Sequence, residues 1–573
     1  MRFVLKNLAL FATMIFALAA FAGDSDRSST KVAAQGTPVD PATARIFSQE
    51  AKLVESMHKF APLVETYIQT LRTDTDLGLV PQEDKYFLGR MVLGEKGVTN
   101  LSFDDKQQAE KKKRGFFSKM LPHFGSFFTI KYLPQGFMEM VYLEDFNEQN
   151  YELKPLRQQF LGEVRTLVFD VVPRPHVKGP HFVGRIWVED QDYNIVRLNG
   201  TFEPSHGTQF YFHFDSWRMN MQPNLWLPAY IYTEETDQNL GRLKKLTMKA
   251  QTRLWGYDIK RSGSSSEFTT MQVESASKDI ADSSGAGANE AVPVQSQHMW
   301  EREAEDNVLD RMVRAGILAP EGEVSKVMQT VINNLQITNN LNNEPEIRCR
   351  VLLTAPLESF TIGHTIVVSR GLLDVLPDES SLALVLAHEL GNIELGHRVN
   401  TQYAFSDRMI FTDEAIFRKF KLAQTDADEL AADQKGLEYL QNSPYKDKLA
   451  QAGLFLRSLE EHSKNLPSLL NTHYGTALAK GNLVQRMPQV EQTAPQLEVR
   501  NISQIPALPL GSRIKLDPWD DHIELQKSKP GQILSIRDKM SFEVTPTFLN
   551  LVRYKTEKTE KTENSDLATQ SAK

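Results

Sequence analysis

The stretch His388-Glu389-Leu390-Gly391-Asn392-Ile393-Glu394-Leu395-Gly396-His397 concentrates residue types that could do chemistry. Asp378 stands where an N-cap belongs, and Leu382, Val385 and Leu386 give the early apolar face of a helix running into it. Residues four apart share a helix face, so His-Glu-x-x-His lets two imidazoles reach one Zn²⁺. The Glu beside the first His then serves as general base. His388 and Glu389 fit that pattern, but Asn392 occupies the second ligand position. Its amide oxygen is a neutral, hard donor on a side chain shorter than His, whereas Zn²⁺ favours imidazole or thiolate. His397 lies about 180° around a continuous helix from His388, at about 100° per residue. Only a helix ending near Gly396 would swing it inward.

Two further stretches belong with this helix. Asp428-Glu429-Leu430-Ala431-Ala432-Asp433 places Glu429 and Asp433 four apart on one face. That spacing suits a metal-ligand carboxylate and an acceptor that orients a ligand from behind. Upstream, Thr361 to Leu373 reads as a strand entering a turn, with an edge that could receive an extended peptide.

In this order the three segments closely resemble metallopeptidase family forty-eight, the gluzincin group that includes HtpX, BepA and CAAX-prenyl-protease types. The resemblance covers roughly residues 300–490. It implies one Zn²⁺ ion and polypeptide substrates. It makes His388 and Glu429 zinc ligands, with Asn392 at the remaining ligand position, Glu389 the general base and Asp433 the acidic residue behind the ligands. Asn471-Thr472-His473, followed by Arg486, is similar to the family's later His-containing segment, which makes His473 a transition-state stabiliser or accessory ligand. Asn392 departs from the pattern and puts full activity in doubt.

These groups must be held by a large scaffold. Its 573 residues allow several domains, and 41% hydrophobic with 24% charged residues is ordinary for a globular chain. A formal charge of −8 argues against a nucleic-acid partner. Cys349 is the one cysteine, so no intramolecular disulfide can form. No P-loop, dinucleotide fingerprint or nucleophile elbow is present.

Arg2 and Lys6 precede an apolar run from Leu8 to Phe21, and Ala20-Phe21-Ala22 makes a small-x-small cleavage site. A signal peptide over 1–22, cleavage near Gly23 and a periplasmic mature chain without a transmembrane span are expected. Residues 23–99 read as a disordered start followed by an amphipathic helix. Ile46, Leu53, Met57, Phe60, Val64, Ile68 and Leu71 carry its period, and Pro62 is a kink or break.

From Phe127 the period becomes two. Eight strands are expected: Phe127–Tyr132, Met138–Leu143, Val164–Val172, His181–Val188, Asn194–Phe202, Gln209–Met219, Leu225–Thr233 and Leu243–Tyr257. Eight strands without an intervening helix predict one curved antiparallel sheet over 100–261. Gly184 to Val188, Ile195 to Leu198 and Trp226-Leu227-Pro228 resemble the LolA-type half-barrel, which implies a cavity for lipid or acyl chains. The alternative is a sheet that fills its own core.

Residues 262–298 read as a Ser/Ala/Gly linker, 299–499 as the mainly helical peptidase-like domain, 500–554 as a small β-containing segment and 555–573 as a disordered tail. The fold class is α+β: a curved antiparallel β domain followed by a gluzincin-type domain. Three functions remain open. The chain is an exported zinc metalloendopeptidase-family protein acting on envelope or misfolded proteins and impaired by Asn392, or an inactive pseudopeptidase serving as chaperone or adaptor, or an apolar-ligand carrier.

Overall fold

The computed structural model describes residues 41–94, 97–102, 140–177, 179–203, 212–239, 245–257, 293–342, 345–397, 422–480, 483–498, 500–501, 504, 514–516, 523–525 and 542–554. The chain divides into two units, Met1–Pro41 and Ala42–Lys573, and the architecture below is that of the second.

Helix α1 (Pro41–Met57) buries Ile46, Phe47, Glu50, Leu53 and Met57. The helical reading to Leu71 is corrected here. The chain instead forms β1 (Leu63–Asp74) directly after Pro62. Val64 and Ile68 pack with α1, while Leu63 and Tyr67 pack into a second core on the opposite face. A strand covered on both sides loses its polar/apolar alternation, so its apolar residues mimic a helical spacing.

β1 is followed by β2 (Gly78–Gly94), β3 (Gly97–Ser102), β4 (Tyr151–Leu161), β5 (Val164–Pro173), β6 (His181–Glu189), β7 (Ile195–Glu203), β8 (Phe214–Gln222), β9 (Leu225–Asn239) and β10 (Lys245–Trp255). These make one open antiparallel sheet of ten strands among the described residues, in the order β3-β2-β1-β10-β9-β8-β7-β6-β5-β4. β1 pairs with β10, Leu63 opposite Trp255, so the first and last strands of the domain meet in its middle. Six of the expected strands are found as β5 to β10. The expected Phe127–Tyr132 lies outside the described residues. Met140–Leu143, the described part of another, is a turn rather than a strand. Strands β1 to β4 were not anticipated.

One face of the sheet is covered by α1 and residues 140–146. Arg218 of β8 anchors the helix, its Nη1 and Nη2 donating to Glu50 Oε2 at 2.6 Å and Oε1 at 2.7 Å, both side chains buried.

The opposite face shares a core with the second half of the chain. Helices α2 (Pro293–Arg314) and α3 (Glu323–Thr338) precede a small sheet of β11 (Arg348–Leu352), β12 (Ser359–Ile362) and β13 (Thr365–Ser369). β11 runs parallel to β13, and β12 is its antiparallel edge. Then come α4 (Arg370–Val375), α5 (Glu379–Glu394), α6 (Asp426–Gln441), α7 (Leu449–His462), the short pair β14 (Ala479–Lys480) and β15 (Leu483–Val484), and α8 (Pro488–Thr493). The expected linker overlaps the start of α2 at Pro293; residues 258–292 lie outside the described residues.

In the C-terminal segment β16 (Ile514–Leu516) pairs antiparallel with β17 (Ile523–Leu525); residues 526–541 lie outside the described residues. Residues 542–554 return to the large sheet. Val544 N donates to Gln69 Oε1, Glu163 N to Leu551 O, and Tyr554 N to Asn220 Oδ1. No helix of the described residues is long and apolar enough to cross a membrane.

Candidate metal centre

Two helices build the site. Asp378 caps α5 by accepting from Ser381 N, and Thr425 caps α6 through Asp428 N. The helices pack through small residues. A Cβ on Gly391 would stand 2.6 Å from Ala432 O, and one on Gly436 would stand 2.8 Å from Ala387 O. This close approach lets the short side chain of Asp433 reach His388.

His388 is fully buried. Its Nδ1 lies 2.7 Å from Asp433 Oδ1, and its Nε2 lies 3.0 Å from Glu429 Oε2. A carboxylate on one ring nitrogen fixes the ring and points the other at whatever the site holds. Burial and the charge of Arg486 push the imidazole pKa down. The Asp433 and Glu429 carboxylates, as acceptors from the ring, together with the charge of Glu389, outweigh them and leave it above its ordinary value. For Glu429 burial pushes upward, but Arg486 and His388 prevail and hold the carboxyl down at about 2. Thr476 Oγ1 donates to Glu429 Oε1 at 2.7 Å.

Glu389 is buried beside His388. Its Oε1 accepts from Arg486 Nη1 at 2.6 Å and from Ser359 Oγ at 2.7 Å. Among the described residues its Oε2 has one long contact, 3.4 Å from Asn392 Nδ2. Arg486 also donates to Ser359 O at 3.1 Å, and its Nε lies 3.4 Å from Glu429 Oε2. One buried guanidinium thus ties β12, α5 and α6 together. The next residue, Met487, adopts the left-handed region at φ 52 and donates its N–H to Asp433 Oδ2 at 2.8 Å. That conformation is costly for a side chain with a Cβ and pins Arg486 in place.

The sequence-derived set is therefore brought together for His388, Glu389, Asn392, Glu429 and Asp433. His473 is placed beside it. Its N–H donates to Glu358 Oε2 at 3.0 Å and its ring packs on Tyr86 of β2 at 5.3 Å. Among the described residues no hydrogen bond or ion pair joins it to His388, Glu389 or Glu429. Ser359, Thr476 and the role of Arg486 were not anticipated. A general signal existed for a cation, because three buried carboxylates demand one.

A zinc ion can be tested against these donors. Three carboxylates face one guanidinium and one imidazole, so the cluster has an excess of negative charge. Glu429 Oε2 is buried and accepts no well-formed hydrogen bond, although His388 Nε2 stands close by. Both observations fit a divalent cation held by His388 Nε2 and Glu429 Oε2. The donor count is weaker: among the described residues no group of three His, Cys, Asp or Glu is arranged to hold a metal, because Asn392 replaces an imidazole. The amide nitrogen of Asn392, rather than its oxygen, faces His388 Nε2 at 3.2 Å.

A helix carrying His388 and Glu389 is thus crossed by a second helix carrying Glu429 and Asp433. Residues 319–500, about a third of the chain, match the family model described as peptidase family M48, and that part of the chain is similar to this metallopeptidase family. No curated protein matches the chain.

Proposed function

We infer that the chain is an exported metalloendopeptidase-family protein acting on envelope or misfolded polypeptides, with a zinc centre weakened at Asn392. The observation that carries this reading is the joining of His388, Glu389, Glu429 and Asp433 across α5 and α6. When bound, zinc supplies a Lewis acid that polarises the scissile carbonyl and a means of activating water. His388 and Glu429 would hold it, with Asp433 fixing the ring of His388.

Glu389 moves the proton. Oε1 is engaged by Arg486 and Ser359, so Oε2 is the oxygen that accepts a proton from water and returns it to the leaving amine. The guanidinium of Arg486 orients the carboxylate through Oε1. Export rests on the Arg2 to Ala22 pattern, and a mature N-terminus near Gly23 by intact mass would support it.

The test is zinc content of the purified mature protein together with turnover of an unfolded substrate such as casein. Substoichiometric zinc and slow, chelator-sensitive cleavage, abolished in Glu389→Gln, are expected. Absence of cleavage at saturating zinc would replace this reading with that of a pseudopeptidase that binds polypeptides. The long contact of Glu389 Oε2 with an amide and the engagement of Oε1 by Arg486 are the observations favouring that alternative.

A further inference from the structure

A buried carboxylate outside the cluster holds one of its supports. Glu358 stands immediately before β12 and is fully buried. Its Oε2 accepts from three successive backbone N–H groups: His473 at 3.0 Å, Tyr474 at 2.9 Å and Gly475 at 3.3 Å. Successive N–H groups that converge in this way make a concavity suited to an anionic oxygen. Oε1 is buried too and has no hydrogen-bond partner among the described residues. One oxygen therefore carries the whole attachment.

The glutamate is itself fixed. Its N–H donates to Ser369 Oγ at 3.2 Å, and its carbonyl accepts from Ser369 N at 2.9 Å. One residue earlier, Leu357 N donates to Leu469 O at 2.9 Å. Gly475 lies so close to Ser359 that a Cβ would collide with the Ser359 carbonyl oxygen. Thr472 Oγ1 donates to Gly475 O at 2.6 Å and closes the turn. The next residue along the chain is Thr476, whose Oγ1 donates to Glu429 Oε1 at 2.7 Å. A displacement of about 1 Å in the gripped backbone would carry that hydroxyl out of hydrogen-bond reach. Arg486 offers no substitute, because its Nε faces the other oxygen, Glu429 Oε2, at 3.4 Å.

Resting on the metal-dependent reading above, we propose that Glu358 is a positioning residue of the centre. It acts as a hydrogen-bond acceptor rather than as a charge, and it fixes residues 473–475 so that Thr476 orients the Glu429 carboxylate. Partners that orient a ligand in this way are worth about 10–100-fold in metal affinity or activity. Two conservative variants separate reach from charge. Glu358→Gln keeps an accepting oxygen at the same reach and removes the charge. Glu358→Asp keeps the charge and withdraws the oxygen by one methylene.

The test uses the full mature protein and two readouts, with circular dichroism and thermal melting to monitor folding. The first is hydrogen–deuterium exchange of the 473–475 amides, which needs no metal. Protection should be lost in Glu358→Asp and retained in Glu358→Gln. The second is Co²⁺ affinity by titration. Thr476→Val should lower it by about tenfold, Glu358→Asp should lower it comparably, and Glu358→Gln should stay near the natural value. The double variant Glu358→Asp/Thr476→Val should bind no more weakly than Thr476→Val, because residues that act through one contact do not add. Additive losses would overturn the proposal and leave Glu358 a general stabiliser. Retained protection in Glu358→Asp with loss in Glu358→Gln would overturn it in favour of a role for charge. Should Glu358→Asp fail to fold, faster exchange of these amides in folded Glu358→Gln overturns it and unchanged exchange supports it. Absence of Co²⁺ and Zn²⁺ binding by the natural protein would overturn the metal-dependent reading, while the exchange readout would still decide whether Glu358 holds the segment.

Discussion

At the scale of single residues, Asn392 is the position that sets the centre apart from a two-histidine metal site. Asn392→His places an imidazole one helical turn beyond His388, where two ligands on one face can share an ion. Zinc affinity should rise by about tenfold or more, as equilibrium dialysis measures. Equal affinity of the natural protein and Asn392→His would mean that position 392 lies out of reach of the ion.

Much of this centre was legible beforehand, since His388, Glu389, Glu429 and Asp433 stand at helical spacings that survive in any packing. Ser359, Thr476 and Arg486 were not, because they approach from an edge strand and two loop segments whose meeting point is set by tertiary packing. His397 was half legible: the sequence contains the glycine, but only the left-handed turn at Gly396 determines where the ring goes.

At the scale of elements, the centre depends on how closely α5 and α6 approach. Gly391→Ala would put a methyl group 2.6 Å from Ala432 O, a backbone atom that cannot swing aside. The helices would have to separate at the level of His388 and Asp433, and strain of this kind costs about 1–3 kcal/mol. A lowered melting temperature together with weaker metal binding is expected. Gly396→Ala should act differently. It has room for the methyl group but must hold φ 68, so it disturbs the turn carrying His397 more than the helix contact. A melting temperature unchanged in Gly391→Ala would show that the helices have slack at this crossing.

The same scale explains the misread β1. Its residues face α1 on one side and the peptidase part on the other, and periodicity alone does not separate such a strand from a helix.

At the scale of the whole molecule, the ten-stranded sheet and the peptidase part are joined by buried polar contacts as well as apolar ones. Glu65 of β1 accepts from Arg370 Nη2 and Ala355 N, each at 2.5 Å, and from Tyr86 Oη at 3.0 Å. Asp84 of β2 accepts from Ser468 N at 2.8 Å and Leu469 N at 2.7 Å, just ahead of the segment bearing His473 and Thr476. The sheet therefore braces the loop that reaches Glu429, and the domains should unfold together.

Asp84 makes this junction sensitive to pH. Burial raises its carboxyl to about 6, against the opposing pull of its hydrogen bonds from Ser468, Leu469 and Tyr67. The unfolded chain releases that proton near 3.8, so between these values the folded state binds more protons. Its contribution to stability is then complete below the unfolded value and is lost as pH rises through about 6. Urea unfolding of the natural protein and Asp84→Asn, compared across pH 5 to 7, isolates the effect because Asn does not titrate. The stability of the natural protein relative to the variant should fall by about 1 kcal/mol over that range. A difference that stays constant, or rises with pH, would mean that the three donors keep Asp84 ionised and that the junction is held by charge rather than by a shared proton.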